Sequence, residues 1–355
     1  MNTILPSSIV IRRCVITALT LFSTSTLLLA PAAAQTAASD GENWELPLTS
    51  DGHPDLQGNW TNATLTPFER PENLGPVLTP EQVTALESGH ADAVALRSEP
   101  SDSNRPLPPG GDDPVCIDGA TTCYGEVWRD PGDRVAIVQG EPRSSLITDP
   151  VDGRVPPLTA TTIEQIADLD TYLRSFGPYD HPELRPLAER CIVSFASSAG
   201  PPMVPNYWYN NNYTIVQTPD YVMIMAEMVH DVRIIRLGEP TSLGEDIRPW
   251  FGDSWGHWEG NTLVVETTNM NPNFAFLEVP GSDDGRVIER LTRVDEDTIL
   301  YEFEIDDPTN YTSSWGGQIP FEQIQDPIYE YACHEGNYAL ANVLSGARYQ
   351  EQRER

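Results

Sequence analysis

Three histidines stand in dense polar motifs and are the side chains best suited to acid–base chemistry. They are His230 in EMVHD, His257 in GHWEG and His334 in CHEG. An imidazole can take up or release a proton near neutral pH, so each histidine could serve as a general base. Three imidazoles from separate strands could instead bind a divalent metal such as Zn²⁺. The chain has no His-Glu-x-x-His spacing, so hydrogen-bonded structural histidines are a third interpretation.

Carboxylates and an arginine beside these histidines could complete a catalytic set. If Tyr221–Ile235 is one continuous strand, one of its faces holds Glu227, Asp231 and Arg233. The other face holds His230, unless a bulge intervenes. The first face could hold a polar ligand inside a barrel, or an ion pair on the outer surface of a sheet. The predicted catalytic set, with histidine as base and Arg233 and a tyrosine stabilising negative charge, is His230, His334, Asp231, Glu227, Glu335, Arg233 and Tyr331.

Aromatic and amide side chains are concentrated near the same motifs. Aromatic faces with amide groups suit a sugar ring or a hydrophobic polycycle, although core packing also explains part of this density. The predicted substrate-binding residues are Tyr209, Asn211, Trp250, Trp255, His257 and Trp258.

Two other chemistries are disfavoured by the sequence. Ser254 lies in GDSWG, which matches G-x-S-x-G, but that motif needs a following helix and a hairpin is predicted here instead. All 21 basic residues are arginine, which excludes a Schiff-base lysine and a P-loop lysine. No Gly-rich phosphate loop, Rossmann fingerprint or haem motif is present. We therefore predict no nucleotide cofactor, with a divalent metal as the only alternative.

The element expected to carry this site is a β-hairpin within Gly252–Met270. Glu259-Gly260-Asn261 supplies turn residues, and Thr262–Thr268 is β-branched and extended. Similar runs recur, so we expect a mainly β protein, an antiparallel meander of about eight strands that closes into a lipocalin-like barrel with a mouth or cavity for one ligand. The predicted strands are Tyr213–Gln217, Tyr221–Val229, Val232–Leu237, Trp255–Trp258, Thr262–Thr268, Val287–Val294, Thr298–Asp306 and Ile328–His334.

Short helices and an irregular N-terminal segment complete the predicted fold. One helix starts after the N-cap Thr79 and runs to about Leu96, and an amphipathic helix at Thr162–Phe176 is expected to cover the barrel. A short C-terminal helix is predicted at Glu335–Leu344. The expected division is a signal peptide over residues 1–34, an irregular and helical region over 35–200, and the barrel over 201–355.

The N-terminus and the charge predict an exported, acidic protein. Arg12 and Arg13 precede the apolar run Cys14–Ala30, which is typical of an export signal. The net charge of −32 repels phosphate backbones, so nucleic acid is not an expected partner. We expect a periplasmic or secreted protein with a small-molecule ligand and no membrane span. The sequence does not predict the oligomeric state.

The cysteines predict two disulfides in an oxidising compartment. Cys14 leaves with the signal, and four cysteines remain. Of the three possible pairings we favour Cys116 with Cys123, and Cys191 with Cys333. A metal–thiolate site is the alternative, but its usual Cys-x-x-Cys pair is absent.

Four long runs resemble those of a large family of exported bacterial proteins, most of them uncharacterised. The runs are DGHPDLQGNWTNATLTPFERP, YNNNYTIVQTPDYVMIMAEMVHDVRII, GDSWGHWEGNTLVVETTN and YEYACHEGNYALANVLSGAR. The resemblance covers nearly all of the chain after the signal and implies export, but it implies no particular reaction. The position of His257 is often Arg in that family, which argues against an obligatory metal role for this histidine.

Together these patterns favour an exported enzyme that uses acid–base chemistry. A lyase, isomerase or hydrolase acting on a small glycoside or a hydrophobic natural product fits the clustering of titratable and aromatic residues. The alternative is a non-catalytic periplasmic binding protein or an envelope-associated protein. A binder returns its ligand unchanged, whereas an enzyme releases a product.

Overall fold

A closed β-barrel of nine strands forms the body of the structure. The computed structural model describes residues 44–98, 130–194, 199–205, 209–241, 243–244 and 247–354, without the side chains of Arg97 and His230. All of these residues belong to one unit, Ala37–Arg355. The strands are β1 (Gly58–Thr61), β2 (Ile137–Val138), β3 (Glu141–Pro142), β4 (Ile147–Asp149), β5 (Asn212–Gln217), β6 (Tyr221–Ala226), β7 (Val232–Leu237), β8 (Asp253–Glu259), β9 (Thr262–Thr268), β10 (Ala275–Phe276), β11 (Val279–Pro280), β12 (Arg286–Arg293), β13 (Thr298–Asp306) and β14 (Trp315–Ile324).

The order of the strands confirms the predicted barrel and changes two of its details. Strands β1, β5, β6, β7, β8, β9, β12, β13 and β14 pair in this order, β14 pairs back to β1, and β4 lies outside on β14. All of these pairs are antiparallel except β7 with β8, which are parallel. The meander was therefore wrong at that step, because the chain between β7 and β8 is long enough to return to the same end. The strand β1 precedes residue 201, so the N-terminal region closes the barrel.

One predicted strand is absent and another takes its place. The described segment Ile328–His334 forms no strand, whereas β14 pairs with both β13 and β1. Gly316 and Gly317 lie in β14, and a Cβ at Gly316 would overlap the carbonyl oxygen of Phe303. The close packing of β14 on β13 therefore requires glycine. Because glycine is rare in strands, the sequence did not predict a strand here.

The barrel interior is filled by side chains. Along β13 the residues Ile299, Tyr301, Phe303 and Ile305 are buried, which confirms the predicted alternation. The largest fully buried side chains include Trp60, Tyr213, Tyr301, Trp315 and Phe321. The expected ligand cavity inside the barrel is therefore occupied by core packing, and space for a ligand lies at the barrel mouth and on its outer face.

A buried ion pair crosses this interior. The side chains of Arg233 and Glu289 are 2% and 0% exposed, and Nη2 of Arg233 donates to Oε1 of Glu289 at 2.8 Å. The hydroxyl of Tyr301 donates to the same oxygen at 2.8 Å, and burial raises the pKa of Tyr301 well above its usual range. The outer-surface ion pair considered for Arg233 is thus wrong: it faces the interior, and its carboxylate partner comes from β12.

The predicted pairing of Cys191 with Cys333 is confirmed. Their Cα atoms lie 5.8 Å apart, and the disulfide joins positions separated by 142 residues. It fastens the segment after β14 to the middle of the chain. Cys116 and Cys123 lie outside the described residues, as does the predicted signal over residues 1–34.

Removal of this disulfide is expected to destabilise the fold. A double replacement, Cys191→Ser with Cys333→Ser, should lower the free energy of unfolding by about 2–4 kcal/mol, because the bond restricts the unfolded chain over a long loop. Guanidinium denaturation of the variant and the oxidised parent measures the difference. The matched control Ser98→Ala removes an exposed hydroxyl and should leave the midpoint unchanged. An unchanged midpoint in the double variant would contradict a structural role for the bond.

Three α-helices lie in the described ranges, and the first begins as predicted. The helices are α1 (Pro80–Arg97), α2 (Ala160–Leu173) and α3 (Ala339–Glu354). The hydroxyl of Thr79 accepts from the Gln82 N–H at 3.3 Å, and the Gln82 side chain accepts from the Thr79 N–H at 2.8 Å. None of the helices in the described part of the chain is both long and apolar enough to cross a membrane.

The helix α2 does not cover the barrel as predicted. Ile163, Leu169 and Leu173 are 57%, 50% and 44% exposed, so its apolar face points to solvent. Its first turn is held by the Thr162 hydroxyl, which donates to Oδ1 of Asn310 at 2.9 Å. The C-terminal helix α3 starts after the predicted Glu335 and extends further.

Candidate functional site

A cleft of about 900 Å³ opens at one mouth of the barrel. It lies where β6 ends and β5 begins, and the segment over residues 329–337 forms its opposite wall. This cleft brings together four residues of the predicted site, Tyr209, Glu227, Tyr331 and Glu335, with Asp130 from the N-terminal region. Its size is that of a pocket for a small organic molecule.

Glu227 is the most strongly positioned side chain of the cleft. The residue is 7% exposed, and its oxygens accept from Nδ2 of Asn212 at 2.7 Å and from the Tyr329 N–H at 3.1 Å. Its own N–H donates to the Asn212 carbonyl at 2.9 Å. Both carboxylate oxygens are therefore held by donors from the two walls of the cleft.

A strained turn places Glu227 at the mouth. The strand β6 stops at Ala226, and a short 3-10 helix at Met228–His230 follows. Within it Val229 has φ of +57°, a left-handed conformation that costs free energy for a β-branched residue. The predicted strand to Val229 was too long, so the assignment of Glu227 and His230 to opposite strand faces does not apply.

Asp130 lines the cleft together with Glu227, Glu330 and Glu335, and no local sequence pattern marks it. Burial raises the pKa of Asp130, a hydrogen bond from the Gly132 N–H opposes this rise, and the charges of Glu227 and Asp133 add to it. Asp130 is nevertheless an exposed residue, so solvent screens the charges that act on it. Asp130 stands in the sequence Asp-Pro-Gly-Asp, which has no catalytic pattern, and the closed barrel brings it into the cleft with Glu227.

Aromatic rings and amides line the same cleft as Asp130 and Glu227. Tyr209 and Tyr331 line the cleft, and Tyr329, which is 75% exposed, offers an open ring face. Asn210 and Asn337 add amide groups. Such a lining can stack on a ring and hydrogen-bond hydroxyl groups at the same time.

Asn211 is not a lining residue of the cleft but supports one of its lining residues, Asp130. Its side chain is buried, and Nδ2 donates to the backbone carbonyl of Asp130 at 2.8 Å. The predicted substrate-binding residue Asn211 therefore positions the backbone of Asp130.

The other members of the predicted catalytic set lie elsewhere. His334 is exposed and is not a lining residue, although its neighbours on both sides line the cleft. Asp231 is buried, and its carbonyl accepts from the Ala226 N–H at 2.8 Å. Arg233 is bound to Glu289 inside the barrel. The side chain of His230 lies outside the described part of the structure.

Of the predicted substrate-binding residues, the three tryptophans and His257 do not join this cleft. The strand β8 runs parallel to β7, so the hairpin after β8 lies at the opposite end of the barrel from Glu227. There the ring of Trp258 stacks on His53 at 4.9 Å, and exposed His257 contacts Glu259 at 3.1 Å. Trp255 packs under Arg236 on the outer face at 4.2 Å, and Trp250 lines a separate groove.

The histidine side chains that the structure describes do not form a metal centre. His257 and His334 lie at opposite ends of the barrel, which is too far for a shared ion. Within the described ranges, no group of three or more His, Cys, Asp or Glu residues is arranged to hold a metal. His257 and His334 therefore cannot both belong to the predicted three-histidine metal site, and that part of the prediction is wrong.

Ser254 has the environment of a structural residue. It is 2% exposed within β8, and its hydroxyl lies 2.8 Å from that of Thr267. No helix follows it, because β8 turns directly into β9. The arrangement differs from that of a nucleophile elbow, as the sequence predicted.

The fold and the cleft define a class of structure, a closed mixed β-barrel with a carboxyl-lined cleft at one mouth. Comparisons with protein-family models, curated proteins and solved structures found no match to this chain. The resemblance to exported bacterial proteins therefore stays a prediction, and function has to be inferred from the site itself.

Proposed function

We propose that the protein is an enzyme that cleaves the glycosidic bond of a small neutral glycoside by acid–base chemistry. The observation that carries this proposal is the placement of Asp130 and Glu227 in one cleft with different environments. A pair of carboxyl groups whose surroundings separate their roles is the usual arrangement for such a reaction.

Asp130 is the proposed proton donor. Its raised pKa keeps a larger fraction of the carboxyl protonated, so it can transfer this proton to the leaving glycosidic oxygen as the carbon–oxygen bond breaks. Glu227, held by Asn212 and the Tyr329 N–H, takes a proton from an attacking water whose oxygen forms the new bond to carbon. Asp130 then takes up a proton from solvent and Glu227 releases one, so both groups return to their starting states.

The lining of the cleft supports a neutral sugar as the substrate. The rings of Tyr209 and Tyr331 can stack on a sugar face, and the nearby amides can bind its hydroxyl groups. The net charge of −32 disfavours phosphorylated or acidic sugars. Export to the periplasm or medium belongs to the same proposal, and the disulfide of Cys191 supports it because such bonds persist in oxidising compartments.

A non-catalytic binding protein is the second candidate. It is favoured by Glu227, since both of its oxygens already accept hydrogen bonds and the group is ordered without a substrate. In that case the cleft would hold the glycoside and release it unchanged, whether free in the periplasm or associated with the envelope.

A product analysis separates these candidates. The purified chain is incubated with a panel of neutral aryl and alkyl glycosides in H₂¹⁸O, and the mixtures are followed by mass spectrometry. Hydrolysis predicts free sugar that carries one ¹⁸O, and elimination would give an unsaturated sugar without it. Saturable binding with the glycoside returned intact would favour the binding protein. If no glycoside of the panel is cleaved or bound, both proposals are overturned.

A further inference from the structure

The junction of β7 and β8 leaves a groove on the outer face of the barrel. These parallel strands share only two residue pairs, Arg236 with Trp255 and Leu237 with Gly256. Before Arg236 the two strands separate, so the first residues of β7 have no ladder partner on that side within the described chain. The resulting groove has a volume of about 520 Å³ and lies outside the Glu227 cleft.

The groove is lined mainly by apolar side chains. Tyr221, Val232 and Ile234 point outward from the sheet and are 49%, 44% and 49% exposed. Trp250 and Phe251, from the loop before β8, form the facing wall. Exposed aliphatic groups beside aromatic rings form a continuous apolar surface, which is the usual signature of a binding site.

The aromatic wall is held rigidly by the chain after β9. The amides of Asn269 and Asn271 donate to the carbonyls of Ile247 and Arg248 at 2.8 and 3.1 Å. Gly252 has φ of +71°, and a Cβ there would lie 2.6 Å from a backbone oxygen of the neighbouring strand. Because the wall is fixed before a ligand arrives, binding requires little ordering of the loop.

The charges at the rim are already paired. Arg236 contacts Asp253, and Arg233 is paired with Glu289 inside the barrel. Among the described lining residues, therefore, these arginines are not available to bind a carboxylate or a phosphate. The edge of β7 before Arg236, which has no strand partner among the described residues, can form hydrogen bonds with an uncharged oxygen. The groove thus favours a neutral ligand.

We infer that this groove is a second binding site, for a neutral small molecule with an aromatic or polycyclic frame and one hydrogen-bonding oxygen. Its volume fits such a molecule, and the aromatic wall can stack on its frame. The site is separate from the proposed glycoside cleft and does not depend on the chemistry there.

A fluorescence titration with prodan, a neutral naphthyl ketone, tests the inference. The full chain is titrated with the probe, and saturable binding with a blue-shifted emission is expected. Val232→Ser should weaken the affinity about five-fold and Trp250→Ala about ten-fold or more, because apolar contact area is lost. The matched control is Val216→Ser, since Val216 is a 38% exposed valine on β5 that is not a lining residue of the groove.

Each outcome decides the inference. Saturation that is weakened by Val232→Ser and unchanged by Val216→Ser supports the site. Equal weakening by both valine variants, or no saturation up to the solubility limit of the probe, overturns it. Unchanged affinity in Trp250→Ala also overturns it, since the aromatic wall would then have no part in binding.

Discussion

Replacement of Glu289 by alanine is expected to lower the free energy of unfolding by about 3–5 kcal/mol. The variant leaves the Arg233 guanidinium as an unpaired charge inside the barrel, where its side chain is 2% exposed. The Tyr301 hydroxyl loses its acceptor at the same time. Guanidinium denaturation followed by tryptophan fluorescence measures the change.

Two controls show whether burial is the cause. The double variant Arg233→Met with Glu289→Leu removes both charges and should recover most of the lost stability. Asp306→Ala removes one partner of the exposed pair with Arg286, whose N and O atoms lie 2.8 Å apart, and should cost less than about 1 kcal/mol. Equal losses in Glu289→Ala and Asp306→Ala would contradict the account of the interior pair.

Replacement of Glu227 by glutamine should reduce kcat/KM by about 10²- to 10⁴-fold on any glycoside that the protein cleaves. Glutamine keeps the shape of the side chain and can still accept a hydrogen bond, but it is too weak a base to take a proton from water. Unfolding should change little, since the amide of Asn212 can reorient toward the new group. Steady-state kinetics and a denaturation curve measure the two effects.

The matched control for this variant is Glu304→Gln. Glu304 is an exposed carboxylate on the outer side of β13, and its replacement removes the same charge away from the cleft. Its kcat/KM should equal that of the parent. If Glu227→Gln retained full turnover, Glu227 would have no role as a base.

Local patterns predicted the elements that local interactions determine. The strands Val232–Leu237, Thr262–Thr268 and Thr298–Asp306 were predicted with the bounds that the structure has. Each combines β-branched or alternating apolar residues with a polar turn. The start of α1 was readable for the same reason, because Thr79 and Gln82 cap each other within four residues.

Features that depend on distant contacts were not predictable in this way. The strand β14 contains two glycines. They allow β14 to pack closely against β13, although glycine itself disfavours a strand. The four-residue strand β1 is defined by its pairing with β5 and β14. The parallel pairing of β7 and β8 depends on where a long connection returns.

The site was partly predictable for related reasons. Glu227, Tyr331 and Glu335 stand in conspicuous polar motifs, and the barrel with its disulfide brings these motifs together. Trp258 stands in an equally conspicuous motif but lies at the opposite end, because β8 runs parallel to β7. Asp130 joins the cleft only through tertiary contacts, so no local pattern could have found it.

An NMR titration of the Asp130 carboxyl carbon shows whether Asp130 and Glu227 act on each other in one cleft. We expect the pKa of Asp130 in the parent protein to lie above the ordinary value of 3.8. In Glu227→Gln the pKa should fall, because loss of the neighbouring negative charge favours the ionised form. An ordinary pKa that is the same in both proteins would contradict this interaction.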